Sequence, residues 1–134
     1  MKRWAAVPGP LIVLCLLAAC SSSAAGTSPA SPRSYTSQAD QVVADLAAGN
    51  YTAVEGKFDP AMTQASQTVP LPQAWAACQH YLGTYRSHGR PVFARHGQFD
   101  NEQVPVTWGN GPGVVIVTFD PSGTIAGLHC YGQP

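Results

Sequence analysis

The chain has 134 residues, with seven Lys and Arg against seven Asp and Glu, a net charge of zero when the histidines are neutral. That length suits one domain, and the balanced charge excludes the basic footprint that nucleic-acid binding requires. Only 10% of residues are charged, so a wet surface has to be built largely from Ser, Thr, Asn and Gln.

Met1-Lys2-Arg3 precedes an apolar run from Leu11 to Ala19, and Leu17-Ala18-Ala19-Cys20 closes it. A positive start, a short apolar core and small residues before a cut site make the pattern of a secretory signal. The run is shorter than the roughly 20 residues a spanning helix needs. Pro8, Gly9 and Pro10 also block its extension backwards as a helix. Leu, small, small, Cys resembles the lipobox of bacterial lipoproteins. The resemblance implies a signal peptide over residues 1–19 and cleavage before Cys20. It also implies fatty acids such as palmitate on Cys20 and a site on the extracytoplasmic side of the cell membrane. Two acyl chains anchor stably where one does not, because each buried methylene is worth about 0.8 kcal/mol. An ordinary cleaved signal with a chance cysteine is the competing reading of the same residues. Losing Lys2 and Arg3 with the signal leaves five basic against seven acidic residues, a net charge of −2.

Residues 20–34 are Ser, Ala, Pro, Gly and Thr with one Arg33, after Cys20 itself. Such a composition buries no core and reads as a flexible tether. A single folded domain is expected over residues 35–134.

The first half of that domain has helical period. Ala39, Val42, Val43, Leu46 and Ala47 form one apolar face, Thr36 or Ser37 is placed to cap the start, and Gly49-Asn50 to end it. Tyr51 to Phe58 reads as a short second helix. Asp59-Pro60 has the form of an N-cap followed by Pro at the first helical position, opening a helix through Ala65. Pro70-Leu71-Pro72 restarts the chain, and Leu71, Trp75, Cys78 and Leu82 mark a helix that Gly83 ends.

After Gly83 the period shifts towards two. Tyr85–His88 and Val92–His96 are short strand candidates, and Gln103–Trp108 is a third, in which Pro105 suits an edge or a bulge. Asn110-Gly111-Pro112-Gly113 reads as a turn. Val114–Phe119 is the strongest strand, apolar on both sides. Asp120-Pro121-Ser122-Gly123 suits a hairpin turn, and Thr124–Tyr131 returns as the last strand. Helices followed by four or five consecutive strands predict an α+β domain, with N-terminal helices on an antiparallel sheet.

This order resembles the cone-shaped fold of nuclear transport factor 2 and ketosteroid isomerase, in which helices pack on a curved sheet. More closely, Ala48-Gly49-Asn50-Tyr51-Thr52-Ala53-Val54, Phe58-Asp59-Pro60-Ala61-Met62, Trp75 before Gly83, and the stretch Val115–Leu128 resemble the bacterial domain-of-unknown-function 3887 family. That family implies a fold and no settled activity.

Cys78 sits on the apolar face of its helix, and Cys130 shares a strand face with Leu128 and Ala126 by the period of two. Two such cysteines in an exported domain favour a disulfide, with two separate buried thiols as the alternative. Their spacing suits no metal. His80, His88, His96 and His129 are scattered; His88 and His96 lie on neighbouring candidate strands and could meet. No Gly-x-Ser-x-Gly elbow is present, and Gly109-x-Gly111-x-Gly113 joins two strands with no following helix or Lys, so it is no phosphate loop. Asp45 and Asp120 read as solvent-facing or capping. Trp75, Tyr81, Phe93, Trp108 and Phe119 divide between core and the lining of a ligand pocket.

No catalytic residue, cofactor or metal is assigned. The sequence favours a membrane-tethered envelope lipoprotein whose domain is a non-catalytic interaction or ligand-binding module. The alternative is a small isomerase- or cyclase-like enzyme using the cavity of the cone. Beyond the membrane contact through Cys20, a homodimer or a protein partner is expected on the sheet. A single layer of helices covers one face of the doubly apolar Val114–Phe119 strand, leaving the other for a second surface.

Overall fold

Ala39, Val42, Val43 and Leu46 recur at helical spacing, and all four are fully buried in a computed structural model that describes residues 35–134. The signal peptide, Cys20 and the tether lie outside the described residues. The helix carrying the four, α1 (Thr36–Ala48), is followed by α2 (Tyr51–Glu55), α3 (Pro60–Thr68) and α4 (Leu71–Leu82). Five strands come next: β1 (Tyr85–His88), β2 (Val92–His96), β3 (Phe99–Trp108), β4 (Gly111–Phe119) and β5 (Ile125–Gly132). This is the expected α+β fold, N-terminal helices packed on a curved, open five-stranded antiparallel sheet.

Local signals explain most helix ends. Gly49 closes α1 in the left-handed region at φ 78°, a conformation that glycine adopts without steric cost. Asp59 Oδ1 accepts the Met62 N–H at 2.7 Å, with Pro60 at the first helical position, as the Asp-Pro pair predicts. The start of α1 differs from expectation. Tyr35 is its N-cap and makes no side-chain cap bond. The role passes to a carboxylate from the sheet: Glu102 on β3 accepts the Tyr35 N–H at 3.0 Å and the Thr36 hydroxyl at 3.3 Å.

The strand order is β1-β3-β4-β5, and β2 pairs with β3 on the same side as β1. β1 lies along Val106–Trp108 and β2 along Phe99–Gln103. Pro105 falls in the interval between them, where its missing N–H removes no ladder bond, and its carbonyl accepts the Gly89 N–H at 2.8 Å. Because β1 and β2 occupy opposite halves of β3, His88 faces Val106 while His96 faces Phe99. Seven residues of strand, about 23 Å, separate those positions, so the two histidines do not meet.

β3 and β4 are longer than the sequence suggests. β3 begins at Phe99, and β4 already begins at Gly111, so the Gly-Pro-Gly stretch read as a turn is strand. The turn itself is Gly109-Asn110. Gly113 serves packing: a Cβ there would stand 2.5 Å from the Trp108 indole nitrogen.

Val115, Val117 and Phe119 are buried beneath the helices, whereas Val114, Ile116 and Thr118 point to the opposite face and are half-buried. The core runs along the inner face. Tyr35 stacks on Phe119 at 4.7 Å between ring centres, and Trp75 packs on Trp108 at 5.4 Å.

Candidate functional site

α3 and α4 both lie against β5, and the helices do not close completely on the strand. A cleft of about 470 Å³ remains, within the usual size of ligand sites. Phe58, Met62, Ala65 and Val69 line it from α3 and its flanks, Trp75 and Cys78 from α4, Val115 from β4, and Leu128 to Tyr131 from β5. Met62, Ala65 and Val69 form the stripe of a helix with one apolar side. None of the lining residues is Asp, Glu, Lys or Arg; the polar side chains are Ser66, His129, Tyr131 and the indole of Trp75.

A disulfide between Cys78 and Cys130 joins α4 to β5 beside this cleft, with Cα atoms 6.3 Å apart. Cys130 points inward because it faces Val115 across the ladder, and directly opposed residues share a face.

Of the five aromatic residues considered as pocket lining, Trp75 stands in the cleft. Tyr81 is 77% exposed on α4, and Phe93 is on the β2 edge of the sheet. Trp108 and Phe119 are buried in the core. Phe58, Met62 and Leu128 also line the cleft, although the sequence did not mark them as pocket residues. The Met62, Ala65, Val69 spacing is the signal that points to the α3 wall.

The polar clusters lie elsewhere. Tyr85 Oη is 2.6 Å from His88 Nδ1, and His88 Nε2 is 3.0 Å from Asp40 Oδ1. Burial, and next the negative charge of Asp40, hold the Tyr85 phenol above its ordinary pKa. The two ring nitrogens of His88 thus bridge the Tyr85 phenol and the Asp40 carboxylate. The arrangement ties α1 to β1 as a clasp, and it does not activate Tyr85 as a nucleophile, which would need a lowered pKa.

Asp100 and Glu102 are buried on the inner face of β3, Asp100 with Arg95 Nε at 3.6 Å from its Oδ1. Neither lines the cleft. Asp45 is buried, not solvent-facing, because Gln41 Nε2 and Asn50 Nδ2 donate to it at 3.0 and 3.4 Å and hold the end of α1. Asp120 is a capping residue. The Thr124 hydroxyl, then the Ser122 hydroxyl, then the backbone N–H groups of both residues donate to its carboxylate and lower its pKa to about 2. Among the described residues, no group of three or more His, Cys, Asp or Glu is arranged to hold a metal ion.

Residues 39–128 match the family model described as "Protein of unknown function (DUF3887)". The chain belongs to the DUF3887 family. Its matched span takes in α1 from Ala39 onward and the whole of α2, α3 and α4, and ends on β5, so the elements that build the cleft fall largely within the DUF3887 region. No curated protein and no solved structure matches the chain.

Proposed function

We propose that this DUF3887 protein is a cell-envelope lipoprotein, tethered through lipid on Cys20, whose domain binds an uncharged, largely apolar ligand in the cleft between α3, α4 and β5. The cleft carries the reading. It holds about 470 Å³ beside apolar side chains, with no charged group to neutralise and few polar groups to orient a ligand. The lipobox-like Leu17-Ala18-Ala19-Cys20 and the Ser/Ala/Pro stretch behind it support the tether.

The likeness of the helix-then-sheet order to nuclear transport factor 2 and ketosteroid isomerase supports the cone superfamily as a relation of fold. An isomerase- or cyclase-like activity has less support. Chemistry of that kind asks for an acid and a hydrogen-bond donor converging on one cavity, and the buried acids Asp100 and Glu102 do not line the cleft. The outward positions of β2 to β5 favour a second copy or a protein partner on the sheet. They include Val92, Val114, Ile116 and Tyr131 and contain no Asp, Glu, Lys or Arg.

Two measurements test the two halves of the proposal. Cys20→Ala abolishes incorporation of labelled fatty acid and leaves unprocessed precursor; a variant that is lipidated as before sinks the tether. Nile red fluoresces on binding to the wild-type chain, and Ala65→Trp, which fills the cleft, removes the signal. Equal fluorescence from a folded Ala65→Trp chain sinks the ligand site.

A further inference from the structure

We infer that the ligand of the cleft is a segment of another protein, an extended and uncharged apolar peptide that adds as a strand to the free edge of β5. The inference rests on the reading of the cleft as a ligand site and names its ligand class.

The hydrogen-bond phase of β5 carries the argument. The Gln133 N–H donates to the Pro112 carbonyl at 3.0 Å. In an antiparallel ladder, hydrogen-bonded and non-bonded pairs alternate. With Val114 opposite Tyr131 and Ile116 opposite His129, those pairs share the phase of Pro112 and Gln133. Leu128, Cys130 and Gly132 therefore direct their N–H and C=O groups away from β4, to the outer edge. That edge forms one wall of the cleft. Among the described residues, no backbone or side-chain hydrogen bond reaches it beyond Ile125.

At Ile125 the chain itself uses the edge. The Ile125 N–H donates to the Lys57 carbonyl at 2.7 Å, and the Asp59 N–H donates to the Ile125 carbonyl at 2.9 Å, with Phe58 bridging Ile125 in parallel. At Pro60 the chain turns into α3 and leaves the strand. The rest of the edge is left facing a groove whose opposite wall is α3. An extended peptide continues this pairing. Leu128 to Gly132 spans about 13 Å, room for about five residues of partner strand.

Peptide fits better than acyl chain on two grounds. An acyl chain would cover the edge N–H and C=O groups and leave them unpaired, which costs free energy. A strand satisfies them and places alternate side chains in the groove. The edge also lacks the usual protections: from Ala126 to Gly132 β5 has no Lys, no Pro and no charge, devices that natural edge strands use against pairing. The uncharged lining requires uncharged side chains from the partner.

The test uses the purified full chain and an array of acetylated, amidated peptides carrying Val, Leu, Ile or Phe at alternate positions. Each peptide is made in three forms: unmodified, and N-methylated at every second amide in either phase. Members of the unmodified set bind, and amide exchange slows at Leu128, Cys130 and Gly132. Methylation in the phase that faces β5 weakens binding about tenfold or more, and methylation in the other phase leaves it. Ala65→Trp abolishes binding. If both methylated phases bind like the parent, or binding survives in a folded Ala65→Trp chain, strand addition is wrong. If dodecanoate binds and no peptide does, the peptide inference fails while the ligand cleft stands. If neither binds, both readings fall.

Discussion

The carboxylate of Glu102 accepts the backbone N–H of Tyr35 at 3.0 Å across 67 residues of sequence. A fully buried acid in the middle of a strand thus serves as the cap of a helix.

Glu102→Ala leaves the Tyr35 N–H without this acceptor and opens space in the core. It destabilises the domain by about 2–3 kcal/mol, read from the urea midpoint at constant slope. Glu102→Gln keeps an acceptor oxygen and loses less. A Glu102→Ala chain as stable as the wild type would remove the cap from the account of α1.

Breaking the link between Cys78 and Cys130, 52 residues apart, frees the last strand from α4. Loop entropy sets the loss at about 4 kcal/mol. The double variant Cys78→Ala, Cys130→Ala should melt well below the oxidised wild type and close to the reduced one. Alkylation of the denatured, unreduced protein at both positions would show that the bond is not made.

Asp120 gives an acid-range signature. Its pKa is lowered to about 2 by the Thr124 and Ser122 donors, against an unfolded value near 4. The folded state therefore binds the proton more weakly. The stabilisation is present above about pH 4 and lost as pH falls towards 2. Asp120→Asn removes that contribution, so the gap in melting temperature between wild type and variant narrows on acidification over this window. A constant gap refutes the assignment.

Val115 and Ile116 are neighbours on β4 with opposite fates. Val115 is buried at 1% exposure, while Ile116 is on the outer face opposite His129. Val115→Glu puts an unpaired charge in the core and unfolds the domain. Ile116→Glu leaves the circular dichroism and urea midpoint nearly unchanged and abolishes self-association in sedimentation. A wild-type chain that is monomeric at high concentration, and that Ile116→Glu does not alter in any partner capture, counts against the sheet-face contact.

Much of the fold is legible in the sequence because its signals are local. The Ala39, Val42, Val43, Leu46 stripe, the Asp59-Pro60 start, the Gly49 and Gly83 ends and the Asp120 hairpin each rest on residues a few positions apart. So does the inward phase of Cys78 and Cys130, and it takes only an exported setting to pair them. What depends on distant chain segments could not be read this way. Glu102 falls just before the Gln103–Trp108 strand candidate, and nothing local marks it as a partner of α1 until the folded sheet sets it beneath the start of that helix. Trp108 and Phe119 are indistinguishable by type from pocket-lining aromatics, and the packing decides that they are core. His88 and His96 are on consecutive strands, yet pairing with opposite halves of β3 keeps them apart. The cleft is the clearest case. Its stripe of Met62, Ala65 and Val69 is written in the sequence, but whether that stripe closes on β5 or leaves a groove beside a bare strand edge depends on where α3 comes to rest. That position follows from the Phe58–Ile125 bridge, the Cys78–Cys130 bond and the fit of side chains between them, contacts made only when the whole domain has folded.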